Sequence, residues 1–366
     1  MPMETDKDNV IVVAMSGGVD SAVAAYLLKE KMGWKHVVGA THYIWPNSKC
    51  CSVDVLTRAE ALCNELGIPY FVVDLHEEFK RYVVGNFIDT YLAGKTPNPC
   101  VMCNERIRFD LFYGTMKKLL MDRGLLKEGA TLYMATGHYV RIENVGGRFF
   151  LRRARDLSKD QSYMLYRVVQ SSLGHLVFPL GGCLKSEVYG ISEKLGINFS
   201  NIGESQDVCF VNGSYVDFIR EHTGKDGPGE GLIKGIDGRI LGKHRGYLNY
   251  TIGQRRGLGL GNGPWYVKEI DSESNTIIVA KRDEADSRCF YVVNTNWFVE
   301  PPVNAPLECE VKIRYQSTAI PCSVISCGSN TYRVNMKKAE FVTPGQSAVF
   351  YRDDLVLGGG IIDSIC

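Results

Sequence analysis

Two short stretches hold residues whose types and spacing can do chemistry. In TPNPCVMCNERIRF, Thr96 to Phe109, Cys100 and Cys103 stand three residues apart between a Pro-Asn-Pro bend and a basic helix. Four uses are open: structural metal, redox couple, catalytic sulfur, or two thiols packed as small apolar side chains. A structural zinc takes four ligands and this pair supplies two; Cys50 with Cys51 and Cys322 with Cys327 lack zinc-finger spacing. Asn104 can cap the helix that follows, which predicts Cys103 at a helix N-terminus beside Arg106 and Arg108, where its thiolate is favoured. The second stretch, SGGVDS, Ser16 to Ser21, has two glycines that let successive N–H groups converge where a helix begins, a place suited to an anion. It carries neither the lysine and spacing of G-x-x-x-x-G-K-[ST] nor the G-x-G-x-x-G fingerprint. A third cysteine, Cys209 in GESQDVCFV, reads by itself as buried core.

These residues need elements to position them. NVIVVAM is a β-branched run suited to a strand buried on both faces, and the helix after SGGVDS repeats Val23, Leu27 and Leu28 at helical spacing. The alternation continues: HVVGATHYI, PYFVVDL and TLYMATGHYV as strands, VDVLTRAEALCNEL, EFKRYVVGNFIDTYL and ERIRFDLFYGTMKKLL as helices. It predicts an α/β domain, a parallel sheet with helices on both faces and ligands at the carboxyl ends of strands, hence at Met15 to Ser21, His42 and Thr136 to His138. Past residue 200 the composition shifts: thirteen glycines fall between Gly224 and Gly263, among short β runs such as YLNYTI and PWYVKEI. From Asn294, LECEVKIRY, PCSVISC, TYRVNM and QSAVFYRDDLVLGGGII predict a closed or sandwiched antiparallel domain. The expected division is 1–205 α/β, 206–288 a small β-rich central domain and 289–366 a C-terminal antiparallel β-barrel.

With 45% hydrophobic residues the 366-residue chain is an ordinary globular protein, and its polar start and lack of a long apolar run predict a cytoplasmic protein with no membrane partner. In that compartment twelve cysteines argue against a disulfide framework and for a reactive or metal-binding subset. The net charge of +1 leaves nucleic-acid binding to local patches. Arg141 to Arg167 holds seven basic and three acidic residues; Leu232 to Asn262 holds six basic residues against Asp237, with Tyr247 and Tyr250 placed to stack on a base.

In its strand-to-helix context SGGVDS resembles the signature of the PP-loop ATP pyrophosphatases, which cleave ATP between the α and β phosphates and activate a carbonyl oxygen as its adenylate. The resemblance implies ATP contacts from Ala14, Met15, Ser16, Gly17, Gly18, Val19, Asp20 and Ser21, with Gly137 and, on the adenine side, His42. Asp20 would repel phosphate unless Mg²⁺ stood beside it. Beyond this loop, AMSGGVDSAVAAYLL, GKTPNPCVMCNERIRF, ATGHYVR, LSKDQSYMLY, ESQDVCF, YTIGQRRGLGLG, PWYV and TPGQSAVFY are similar, in order and approximate spacing, to the tRNA-specific 2-thiouridylase family. The family replaces the 2-oxygen of the wobble uridine by sulfur, with ATP converting that oxygen into a leaving group. By resemblance Cys103 is the nucleophile that ends in a disulfide, and Cys209 carries a persulfide received from a sulfur-carrier protein or cysteine desulfurase. Asn98, Pro99, Cys100 and His138 would lie near the target base, and Lys159, Asp160, Gln161, Arg314, Tyr315 and Gln346 would contact tRNA.

One position departs from the family: Cys100 stands where aspartate is common. Cys100, Cys103 and Cys209 are therefore also candidate ligands of a [4Fe-4S] cluster with an open iron, an alternative to the persulfide. Two rivals stand beside the thiouridylase reading. Another PP-loop adenylating ligase would have no use for Cys103, Cys209 or the basic patches, and a non-catalytic RNA-binding iron-sulfur protein would leave SGGVDS idle.

Overall fold

A computed structural model of the protein describes residues 8–46, 48, 52–196, 208–224 and 227–366. Cys50, Cys51 and the Glu204–Asp207 part of ESQDVCF lie outside them. The β-branched start forms the middle of a five-stranded parallel sheet. Strand β1 (Val10–Ala14), buried at every position, lies between β2 (His36–Tyr43) and β4 (Leu132–Ala135), with β3 (Tyr70–Asp74) beyond β2. The order is β3-β2-β1-β4-β7, β7 being Leu176–Val177. Ile11, Val13 and Met15 bury one face against Ala22, Ala25, Leu28 and Ala59 of the first two helices. Helix Val19–Tyr26 turns Val23 and Ala24 the other way, onto Tyr139, Leu180 and Val188.

The fold-class expectation is met, with local differences. TLYMATGHYV is broken: β4 stops at Ala135 and β5 (Val140–Val145) begins a hairpin with β6 (Arg148–Arg153), leaving Thr136–Tyr139 as a loop at a strand end. Pro99 to Asp122 is one helical run whose middle, Cys103–Phe112, has π-helical hydrogen bonding. Cys103 is therefore inside a helix rather than at its N-terminus, and Asn104 is buried with side-chain partners instead of capping.

The chain divides into two compact units. One contains the residues up to Val83, Cys100–Phe210 and Asp353–Val356; the other contains Val84–Pro99, Val211–Arg352 and Leu357–Cys366. In the first, Leu355 pairs with Arg152 at the edge of β6. In the second, β8 (Gly231–Gly235), β9 (Ile240–His244), β10 (Tyr266–Asp271) and β11 (Thr276–Ala280) form a small sheet, order β10-β11-β8-β9. YLNYTI is not a strand: Tyr247–Asn249 is a single 3₁₀ turn. The barrel runs β12 (Ser287–Trp297), β15 (Tyr332–Glu340), β14 (Ile320–Ser326), β13 (Leu307–Lys312), β16 (Ser347–Arg352), β17 (Leu355–Ile365), and β12 pairs with β17 to close it. Closure leaves no free strand edge.

Cysteine use differs from expectation. Cys289 on β12 and Cys366 after β17 form a disulfide, and Cys322 stands opposite Cys309 across β13–β14, sulfurs 3.6 Å apart. Among the described residues no helix is long and apolar enough to cross a membrane.

The segment leading to Cys100 is gripped by the barrel chain of its own unit. Thr96 N–H donates to the Pro344 carbonyl at 2.9 Å, and Gln346 Nε2 donates to the carbonyls of Thr96 at 3.1 Å and Pro97 at 2.9 Å. Gly345 makes this possible: its φ is +90°, and a Cβ there would lie 2.7 Å from the Thr96 oxygen. Gly345→Ala is expected to destabilise the protein by about 1–3 kcal/mol through backbone strain and that clash, read as a lowered urea midpoint with unchanged m-value.

Candidate functional site

The carboxyl end of β1 leads into the SGGVDS loop. Met15 N–H donates to Ala40 O at 2.8 Å and Thr41 Oγ1 donates to Met15 O at 2.7 Å, so the strand is held to its last residue. Gly17 then turns with φ +64°, its α-carbon so close to the next helix that a Cβ would meet Val55 O at 2.8 Å. Ser21 Oγ closes the loop, accepting from Ser16 N–H at 3.2 Å and donating to Gly18 O at 3.0 Å. Gly137, from the loop after β4, presses on the same helix start: a Cβ there would lie 2.9 Å from Ser21 N. The sequence-predicted phosphate residues thus share one turn, with Gly137 against it. A bare backbone at the head of a helix can take an anion.

Asp20 has a different partner from the one expected. Lys185 Nζ donates to both of its oxygens at 2.8 Å, and Tyr139 O–H donates to Oδ1 at 2.8 Å. The lysine side chain is 11% exposed and lies over the rings of Tyr139 and Tyr189 at 5.4 and 5.0 Å. A buried ammonium needs a counter-charge and a carboxylate beside a phosphate site needs a cation, so each meets the other's need. Lys185 is a candidate site residue that sequence reading missed. Its signal was indirect, since Asp20 demanded a cation and the loop offered none. The Asp20 and Tyr139 contacts also burden the Tyr139 hydroxyl, whose pKa is raised by burial and then by the neighbouring carboxylate.

The helical run from Pro99 closes a second cluster. Arg108 Nη1 donates to Asn104 Oδ1 at 2.7 Å and to His138 Nε2 at 3.2 Å; Asn104 Nδ2 donates to Met164 O at 3.1 Å. Because a guanidinium only donates, His138 Nε2 is the acceptor and Nδ1 carries the proton, directed at Thr136 Oγ1 2.6 Å away. Burial, then Arg108, then His42 hold the His138 pKa well below its ordinary value. His138 is therefore a neutral, fully engaged strand-end histidine. His42 is buried against Phe112, its pKa lowered to about 3 by burial and then by Arg108, and its Nδ1 has no hydrogen-bond partner. An orphaned buried nitrogen at a strand's carboxyl end fits a ligand edge on the side where adenine was expected.

Cys100 is exposed at the first turn of the run, and Cys103 and Cys209 are half-buried; none is disulfide-bonded. The protein packed around its sulfur raises the Cys100 pKa, and Arg108 acts the other way. Arg106, expected to act on Cys103, instead pairs with Asp110 at 3.6 Å and stacks on Tyr82. Phe210 is fixed beside Cys209 by Phe79 and Trp45 at 5.4 and 6.2 Å. Among the described residues no three His, Cys, Asp or Glu side chains converge as metal ligands. Cys100, Cys103 and Cys209 are thus not gathered as a ligand set in this arrangement.

The basic windows read differently in three dimensions. Arg141 and Arg152 both pair with Asp354, Arg155 with Glu187 and Arg167 with Glu105, so most of the first patch is neutralised from outside its own window. Asp160 is buried, accepting from Ala154 N–H and from the Ser162 N–H and hydroxyl, and Gln161 is bonded to Tyr139. Both build the loop that carries half-buried Lys159. Tyr247 and Tyr250 are buried, and the Tyr247 hydroxyl donates to Leu92 O at 2.6 Å, so neither offers a face to a base. In the second unit Arg314 is exposed but donates to the Phe341 carbonyl, Tyr315 lies 5.9 Å from Lys312 Nζ, and Gln346 is spent on Thr96 and Pro97. Asn98 and Pro99 end the gripped segment.

Residues 9–213 match a family described as the tRNA methyl transferase HUP domain, 216–281 a tRNA methyl transferase PRC-barrel domain and 287–362 an aminomethyltransferase beta-barrel domain. The chain is 41% identical to the tRNA-specific 2-thiouridylase MnmA of Geobacter metallireducens, over 97% of this chain and 96% of that one. It is 40% identical to the protein of that name from Halothermothrix orenii, over 96% and 98%. An NMN synthetase structure from Francisella tularensis, 16% identical over 60% of this chain and 78% of that one, has a TM-score of 0.34, too low to carry an argument.

Two outcomes are expected. Lys185→Met should cost ATP-dependent turnover about 10²–10³-fold, as loss of a charge-stabilising donor does, with Lys185→Arg partly rescuing it. The second concerns pH. The His42 pKa is depressed on folding, so the unfolded chain binds the extra proton between about 3 and the ordinary value of 6.5. The stability from keeping it neutral is complete above that window and is lost as pH falls through it. Denaturation at stepped pH should show His42→Gln lowering the acid-side slope by about 1.4 kcal/mol per pH unit.

Proposed function

This chain belongs to the tRNA-specific 2-thiouridylase family, and we propose from that membership and the site's geometry that it replaces the 2-oxygen of a tRNA wobble uridine with sulfur at the expense of ATP. The observation that carries the reading is that one unit holds both halves of the chemistry, the SGGVDS loop and the three cysteines Cys100, Cys103 and Cys209. A PP-loop ligase without sulfur chemistry would not use the thiols. A non-catalytic RNA binder would not need Lys185 and Asp20 at an anion-ready turn.

The residues divide the work in two steps. ATP, as its Mg²⁺ complex, is the first substrate. The backbone of Ser16–Gly18, the Ser21 hydroxyl and Lys185 bind its pyrophosphate part while uridine O2 attacks the α-phosphorus and pyrophosphate leaves. Lys185 places its positive charge beside that site while paired with Asp20, and Tyr139 gives the carboxylate a further donor. His42 takes the adenine side. Adenylation turns O2, a poor leaving group, into part of AMP.

Sulfur transfer follows. The outer sulfur of a Cys209 persulfide, loaded by a sulfur-carrier protein or a cysteine desulfurase, bonds to C2 and AMP departs. Cys103 thiolate then attacks Cys209 Sγ and the old S–S bond breaks, leaving its electron pair on the sulfur now held by the base. Persulfide sulfur is thereby reduced to the level of a thiocarbonyl, and the two electrons come from the protein thiols, which end as a Cys103–Cys209 disulfide needing a reductant. In the first unit Cys100 and His138 serve the base and Lys159 is offered to the tRNA; in the second, Asn98, Arg314 and Tyr315 are offered to the tRNA.

Cys103→Ala and Cys209→Ala proteins should each lose tRNA thiolation by about three orders of magnitude or more while still releasing pyrophosphate when tRNA and ATP are present. Thiolation surviving in both variants would sink the cysteine assignment. Iron-free protein should thiolate as fast as anaerobically purified protein, and activity confined to an iron-bearing fraction would reinstate the cluster.

A further inference from the structure

The glycine-rich loop of the second unit borders an open depression of about 350 Å³, lined by Arg255, Leu258, Leu260, Pro264 and Trp265 among its glycines. We propose that this depression is a subsite for one unpaired nucleotide of the RNA substrate, with its base on the Trp265 indole and its phosphate met by Arg255. This rests on the tRNA reading above and gives a role to residues of the YTIGQRRGLGLG and PWYV stretches to which no individual function was attached.

The indole is fixed before any ligand arrives. Trp265 Nε1 donates to Gly261 O at 2.9 Å, and Lys281 Nζ lies 3.8 Å from the ring centre while donating to Asn262 O at 2.5 Å. A platform already held in place loses little freedom on binding, so stacking appears as affinity. The loop backbone is bare where it faces outward: Gly257 and Gly259 have φ of +80° and +66°, and a Cβ on Gly259 or Gly261 would meet no atom within 4 Å. Such glycines leave room and unshielded peptide groups at the rim.

Charge selects the occupant. Arg239 is taken by Asp237 and Lys243 by Glu230, whereas exposed Arg255 and Arg256 make no ion pair among the described residues. The lining has no carboxylate. An aromatic plane next to unpaired guanidinium groups suits a base joined to a phosphate, and single-stranded RNA presents both. This also answers the burial of Tyr247 and Tyr250, since the stacking surface expected of this stretch lies a few residues further on.

Full-length wild-type protein, Trp265→Leu, Trp265→Phe and Arg255→Gln are compared for binding of a substrate tRNA over a series of salt concentrations. Trp265→Leu should weaken binding roughly 5- to 100-fold, the range of a lost base stack, with the salt slope kept; Trp265→Phe should retain most of the affinity. Arg255→Gln should reduce the slope of log K against log salt by about one. Ultraviolet crosslinking of wild-type protein to the tRNA, which needs no variant to fold, should join one nucleotide to the peptide holding Arg255–Trp265. Unchanged affinity and slope in all three variants, or no crosslink in that peptide, overturns the subsite alone. Displacement of the crosslink by ATP makes the depression a mononucleotide site and also overturns it. Wild-type protein that fails to bind tRNA overturns the substrate reading itself.

Discussion

The candidate anion site carries a carboxylate of its own, and the contact between Asp20 and Lys185 is what balances it. The two residues are 165 positions apart, so the ammonium arrives only if the helix Lys185–Lys194 is packed correctly. That packing is apolar: Val188 and Leu180 lie against Val23 and Ala24 of the helix that carries Asp20. Tyr139 joins the cluster with its ring and holds the carboxylate with its hydroxyl. Hydrophobic burial thus sets an electrostatic distance. Unlike a loop with its own lysine, this one has its charge balance written into the tertiary structure.

The neighbouring histidines follow the same logic of one resident cation. Arg108 keeps His138 as an acceptor and disfavours a second positive charge on His42. Both imidazoles are therefore fixed neutral dipoles and not proton shuttles, which leaves the proton and electron bookkeeping to sulfur and to the substrates.

Much of this was legible in one dimension. The five-residue run VIVVA could only be a strand buried on both faces, and Gly17 and Gly18 could only be there for a turn the backbone needs, so the sheet and the turn at the head of the first helix were readable from periodicity and glycine placement. Charges were not. Arg141 and Arg152 looked available because Asp354 is 213 and 202 residues away, and a local window cannot count a partner it does not contain. Tyr247 misled for a related reason: a tyrosine among arginines reads as a stacking residue until its ring is seen to be buried. Asn104 was read as a cap because the π-helical continuity from Cys103 to Phe112 leaves no mark in residue types. Cys366 gave no sign of Cys289, since strand closure in a barrel sets that pairing and not spacing.

The division of the chain into interleaved segments bears on how the protein is made. The unit with the SGGVDS loop is not completed by its first two hundred residues; it waits for Asp353–Val356, which pass between β16 and the rest of β17. A ribosome delivers those four residues only after nearly all of the barrel has emerged. Until then Arg141 and Arg152 lack their shared counter-ion and the edge of β6 lacks the pairing at Leu355. A chain that has made β6 but not yet Leu355 has that edge unpaired and Arg141 without its carboxylate, while Arg152 keeps Glu143. The topology therefore makes the unit that carries the SGGVDS loop depend on synthesis of nearly the whole barrel sequence.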